Sequence, residues 1–185
     1  MISILLLTAI AVPLLAQDIE IPVKTQWSLI CKLLPFDRNL TFRSGDKIVI
    51  GIFYQDRYRL SLNVKNEMCE TIEKNPDLTI AGLPCKYVAL DLGNLDSIDS
   101  LVSAEGVNLA YVAPLRAVDL TTITDLCRKS HILSITGVPE YVEQGISLGF
   151  GLKGDKPTIL INREASYAEG ADFSSQLLKL AKAVK

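Results

Sequence analysis

Histidine is nearly absent from the sequence: His131 is the only one, and the four cysteines form no CxxC pair. Zinc sites need clustered Cys and His ligands, and dithiol redox centres need paired cysteines, so neither chemistry has its residues here. A Ser or Cys hydrolase needs a base oriented by a carboxylate beside a nucleophile motif. His131 lacks both and reads as a surface residue at a helix end, where the helix dipole favours it. A glycine loop for phosphate is missing too. Gly51 in "GIFYQDRY" falls inside a predicted strand, and "GFGLKG" at 149–154 is followed by no helix, so no dinucleotide site is expected. Basic runs are also lacking. With a formal net charge of −2, nothing draws the chain to nucleic acid or to an anionic membrane. No catalytic residue, metal or cofactor is expected.

What is present is apolar. Hydrophobic residues make up 49% of the 185 and charged ones 22%, enough for a conventional buried core. The stretch from Ile2 to Ala16 carries no charge. It is shorter than the ~20 residues a membrane-spanning helix needs. With Pro13 and the small Ala16 before "QDIE", residues 1–16 read as a secretory signal peptide. Residues 17–185 are then expected to form one periplasmic domain that does not insert in the membrane after cleavage.

An even number of cysteines in an exported protein permits two disulfides in three connectivities. Cys69 lies late in a predicted helix and Cys85 opens the next strand, so a return through "NPDLTIAGLP" favours Cys69–Cys85. A Cys31–Cys127 pair is the weaker expectation. Both lie on apolar helical faces, where free cysteine acts as a small hydrophobe.

Along the chain, Thr25 is a candidate cap for a first helix with Trp27, Ile30, Cys31 and Leu34 on one face. "DKIVIGIFY" is a near-continuous apolar run, the pattern of a strand covered on both sides. Leu60, Val64, Met68 and Ile72 give the next helix its face. "CKYVALDL", "VNLAYVAP" and "HILSITGV" are further strands. Between them lie helices around "DSIDSLVSAEG", closed by Gly106, and "DLTTITDLCRKSH", capped by Asp119, with a short turn starting at Pro139. Strands alternating with helices predict an α/β fold: a three-layer, doubly wound, mostly parallel sheet. "ISLGFGL" and "TILIN" follow one another with no helix between, which predicts a C-terminal antiparallel hairpin. A final packed helix is expected to place Phe173, Leu177, Leu180, Ala181 and Val184 on one face, with Asp172 or Ser174 as its cap.

A doubly wound sheet also invites a phosphoacceptor reading. The third strand ends in Ala113-Pro114 instead of an acidic residue, and Asp56 stands alone after the first, so the acidic cluster that Mg²⁺ requires is not there. Ligands in such sheets bind at the carboxyl ends of the strands. Candidate ligand residues are therefore Thr136 and Gly137, with Arg116 and Arg57 on the same edge. Candidate partner-binding anchors are the aromatics Tyr54, Tyr58, Tyr141 and Tyr167.

"ILSITGVPEYVEQGISLGFGLKGDKPTILINREASYAEGADFSSQLLKLAKAV" resembles the C-terminal half of the YfiR-like family of periplasmic proteins. Ile161-Asn162 at a strand end and the "SSQLLKLA" stretch from Ser174 to Ala181 carry the likeness, and the order of elements from Asp46 onward agrees. Two positions depart from the pattern. Gln144-Gly145 stands where a double Gly is common, and Asn108 where the third strand often opens with Cys, so the family's disulfides do not transfer by position. The resemblance implies a non-enzymatic regulator that binds the extracytoplasmic part of a membrane sensor. The best understood members hold an inner-membrane diguanylate cyclase inactive, which places them in cyclic-di-GMP signalling. Self-association into a homodimer is left open by the sequence. So is the alternative of a periplasmic small-ligand receptor using the strand-end crevice.

Overall fold

The computed structural model describes residues 19–93 and 97–184; the predicted signal peptide lies outside them. Strand β1 (Ile48–Tyr54) is buried from Ile48 to Phe53, as its unbroken apolar run requires. It sits inside an eight-stranded sheet of order β2-β3-β1-β4-β5-β6-β7-β8. β3 (Leu83–Asp91) and β4 (Leu109–Val112) flank β1 in parallel, and β5 (Leu133–Thr136) and β6 (Leu148–Lys153) continue in the same direction. β7 (Lys156–Asn162) returns antiparallel to β6 through a turn that needs Gly154, whose φ is 61°. Two short strands complete the edges. β2 (Thr79–Ile80) pairs antiparallel with β3, and β8 (Lys182–Val184) pairs parallel with β7. The mixed but mostly parallel α/β sheet is the predicted one.

Alternation along β1 builds two cores. Ile48, Ile50 and Ile52 face helices α1 (Val23–Leu33) and α3 (Arg59–Glu73), packing with Trp27, Ile30, Val64 and Met68. Val49 and Phe53 face the other way, with α4 (Ile98–Glu105), α5 (Leu120–Ser130) and α6 (Pro139–Glu143) supplying Ile98, Val102, Ile123 and Tyr141. Each crossover helix thus buries one apolar stripe on one sheet face. Asp119 caps α5 as expected, accepting from the Thr121 amide at 2.9 Å, and Gly106 ends α4 in the left-handed region at φ 67°.

Two local expectations change, and one helix is additional to those predicted. α1 starts at Val23, so Thr25 lies inside its first turn, and its entry is set by Pro22 with no side-chain cap. The chain after β7 is a helix, α7 (Arg163–Ala168), because Asn162 accepts from the Ala165 amide at 3.0 Å. The last helix, α8 (Ser175–Leu180), is capped by Ser174 but is only six residues long. Ala181 turns extended and the chain becomes β8, exchanging a last helical turn for pairing with β7. Phe173 and Leu177 are buried as predicted, whereas Leu180 is 70% exposed.

One further helix, α2 (Leu40–Ser44), contributes Arg43 to a buried ion pair with Asp37, Nη2 to Oδ2 2.5 Å, the side chains 3% and 0% exposed. The other Asp37 oxygen accepts from the Asn39 and Asp172 amides, and Arg43 donates to the Asn108 carbonyl. Removing one partner leaves a buried charge uncompensated. Asp37→Ala is therefore expected to lower unfolding stability by about 3–5 kcal/mol, read as a shift in the urea midpoint. A change below about 0.5 kcal/mol, the level of an ordinary surface substitution, contradicts this.

Candidate functional site

The chain leaves β1 toward β3 over one face, then crosses back over the other face to β4. The carboxyl ends of β1, β3 and β4 therefore surround the topological switch point, where such sheets leave room for ligands. Gln55 organises this end. Its side-chain oxygen accepts from the Arg116 amide at 2.6 Å, and its own amide donates to Ser61 Oγ at 2.9 Å. Asp91, the last residue of β3, accepts from the Asp56 and Gly93 amides, both at 3.0 Å. Gln55, Asp56, Arg57, Asp91 and Gly93 line an open cavity of about 420 Å³. Beside it the Arg116 guanidinium lies over the Tyr58 ring at 5.2 Å, and the Lys65 ammonium over Tyr54 at 5.0 Å. Arg57, Arg116, Tyr54 and Tyr58 thus converge on one ledge bearing both signs of charge.

Thr136 and Gly137 do not open onto it. Thr136 is fully buried; its hydroxyl donates to the Val112 carbonyl at 2.9 Å and accepts from the Val138 amide at 3.1 Å. Gly137 faces the side chain of Gln26, whose Oε1 lies 2.4 Å from where a Cβ would stand. Gln26 is itself buried in α1, donating to the Ile21 carbonyl and accepting from Tyr111 Oη, each at 2.7 Å. The strand end expected to hold a ligand is plugged by a glutamine on the apolar face of the first helix.

The tyrosines separate as well. Tyr141 is only 3% exposed, and its hydroxyl binds both the amide and the carbonyl of Leu115. It braces the loop leading to Arg116 and cannot face a partner. Tyr167 is exposed on α7. Because β7 runs against β6, α7 lies at the end of the sheet opposite the ledge. His131 is exposed at the C-terminus of α5 in a left-handed conformation, φ 53°. Among the described residues no group of three or more His, Cys, Asp or Glu could hold a metal ion.

All four cysteines are free thiols; the structure contains neither the Cys69–Cys85 disulfide nor the Cys31–Cys127 one. Cys31 packs on one face of the sheet and Cys127 on the other, so the sheet separates them. The Cys69 thiol meets Tyr87, while Cys85 lies toward Cys31. Burial, more than any neighbour, pushes Cys31 up to about 12 and raises Cys69 and Cys85.

A second surface was not foreseen. Between α6, the β6–β7 hairpin and the α8–β8 segment runs a groove of about 750 Å³. Glu20, Glu140 and Glu143 line it together with Lys153, Lys179 and Lys182. Leu152 and Leu180, 44% and 70% exposed, stand in it. Glu20 fixes the chain entry, accepting from the Leu152 amide at 2.9 Å. Among the described residues β8 pairs only with β7, so its outer edge offers free backbone groups. The signal available in the sequence was Leu180 beside three lysines, which a uniform helix would have buried.

The sequence model of the YfiR/HmsC-like family matches residues 41–182. No curated protein matches the chain. Among solved structures, the ABC domain from Streptococcus pneumoniae in complex with L-Trp superposes with a TM-score of 0.59 at 19% identity, over 89% of this chain and 60% of that one. A conserved domain protein from Vibrio cholerae gives 0.56 at 14%, over 89% and 60%. The ligand-free, open form of a substrate binding protein with adhesive properties from Clostridium difficile gives 0.53 at 15%, over 80% and 57%. The chain thus shares an α/β fold with these structures and spans about 60% of the length of the first two.

The raised thiols make a prediction for the reduced protein. At pH 7.5 Cys31, Cys69 and Cys85 should react with a disulfide reagent more slowly than an unfolded thiol, since only thiolate attacks. Cys127, fully buried, should react only on unfolding. A fast native phase from any of the four thiols contradicts the placement.

Proposed function

The chain belongs to the YfiR/HmsC-like family, and from that premise we propose that it is a non-enzymatic periplasmic regulator. It binds the extracytoplasmic part of a membrane signalling protein, with an inner-membrane diguanylate cyclase as the expected class, and holds it inactive. In this reading residues 1–16 are removed on export and 17–185 form the working domain. The observation that carries the proposal is the groove at the free β8 edge. It combines exposed leucines, unpaired strand backbone and side chains of both charge signs. Those are the features by which an extended segment of another protein is recognised: main-chain bonds give affinity, and side-chain contacts give register.

The mixed-charge ledge at Arg57 and Arg116, together with a fold shared with binding proteins, favours a second reading. The ledge would accept a small charged ligand and the protein would act as its receptor. Ligand binding to the native state raises thermal stability by mass action, so a metabolite screen by thermal shift separates the two readings.

Co-purification with a membrane sensor encoded beside it tests the leading proposal. Leu180→Glu puts a charge at the groove and is expected to weaken complex formation at least tenfold, the size of a small interface hot spot. Stability should stay within about 0.5 kcal/mol, because the side chain is exposed. Arg116→Ala should leave the complex intact. If the second substitution abolishes binding and the first does not, the partner sits on the ledge and the groove is not the docking surface.

A further inference from the structure

A second buried carboxylate takes no part in the surfaces above. Glu169 follows α7 and is 0% exposed. Its Oε1 accepts from Ser134 Oγ at 2.6 Å, and its Oε2 from the Ser134 amide at 2.8 Å and from the Ser147 hydroxyl. Ser134 Oγ in turn accepts from the Ser147 amide at 3.0 Å. One carboxyl therefore ties the end of α7 to β5 and to the chain entering β6.

The surroundings supply little charge to balance it. From α5, Cys127 and Arg128 face it. Cys127 is a fully buried thiol held neutral by desolvation, and Arg128 is engaged at the surface by Asp125 at 3.3 Å. β5 and the approach to β6 offer only the serines. Beyond the adjoining Gly170 stand His131 and Arg43, the latter committed to Asp37. Among the described residues no cation is within ion-pair distance of Glu169.

We propose that Glu169 is a proton-operated latch: its protonated carboxyl holds the segment from Arg163 to Val184 against the sheet, and loss of that proton to water lets the segment open. Ionised in place, the carboxylate is desolvated without a cation; in the opened segment it is hydrated. Gly170, at φ 84°, follows directly and turns the chain out of α7 in a conformation that glycine adopts without strain. Burial raises the carboxyl from its ordinary 4.5 to about 7, against the hydrogen bonds from Ser134 and Ser147. The holding contribution is thus complete below pH 4.5, declines up to about pH 7, and is level above it. The latch belongs to the fold itself and operates with or without a partner bound.

Amide hydrogen exchange on the purified protein, corrected for the intrinsic rate at each pH, tests it. Opening of the Arg163–Val184 segment should increase by up to roughly tenfold per pH unit between 4.5 and about 7, then level. Amides of the Ile48–Tyr54 strand should show no such dependence; if they follow the same curve, the proton is coupled to global unfolding and the latch is refuted. Glu169→Gln should flatten the profile at its acidic level. Ser147→Ala keeps the carboxyl but removes a donor to its ionised form, and should move the upper end of the curve above about pH 7. An unaltered profile in either variant overturns the proposal.

Discussion

The ion pair between Asp37 and Arg43 is the constraint on which the rest of the molecule depends. It sits where the arm after α1, the start of β4 and the segment before α8 meet. Asp37 gathers the amides of Asn39 and Asp172, Arg43 reaches the Asn108 carbonyl, and the Asp37 backbone bridges that of Phe173. Further backbone bonds run from Arg38 to Asp172 and from Ser174 to Phe36. Positions more than a hundred residues apart in sequence are thereby fixed to one another. Closing so long a loop is entropically costly, and a buried, low-dielectric ion pair with further bonds to backbone helps to offset that cost. The position of α8, of β8 and hence of the groove follows from it.

Covering both sheet faces with helices leaves only edges and strand ends for contact with anything else. The molecule narrows that choice further. Gln26, locked by Ile21 and Tyr111, fills the end of β5 and forbids a side chain at Gly137. The β2 edge is two residues long, little more than a cap on β3. The ledge beyond β1 and β3 and the groove beside β8 stay open. Recognition on such a body falls to its periphery, which agrees with a regulatory role better than with enclosed chemistry.

Much of this architecture was legible in the sequence because its signals are local. The run from Ile48 to Phe53 can only be a strand covered twice, and Asp119, Gly106 and Pro139 mark helix ends by backbone chemistry that needs no tertiary context. The plug was not legible. Gln26 shares a helix face with Val23, Trp27 and Ile30, and nothing local says that a glutamine there will meet a tyrosine hydroxyl from β4. β8 was misread for a related reason. Lys182, Ala183 and Val184 continue the helical spacing from Leu177, and only pairing with Leu160, Ile161 and Asn162 overrides it. The short helix Arg163–Ala168 went unmarked as well, since what starts it is the Asn162 side chain accepting from the Ala165 amide.

The two buried carboxylates show how one physical rule divides into two roles. Burial removes both from water, and the outcome depends on what each is given in return. Asp37 receives a guanidinium at 2.5 Å together with two backbone amides, so its charge is balanced within the fold and serves to join segments. Glu169 receives hydroxyls and one amide. These donors satisfy its oxygens without cancelling its charge. The first arrangement favours one fixed state. The second leaves two protonation states close enough in free energy for solvent to choose between them, and it stands within the segment that leads to the open edge.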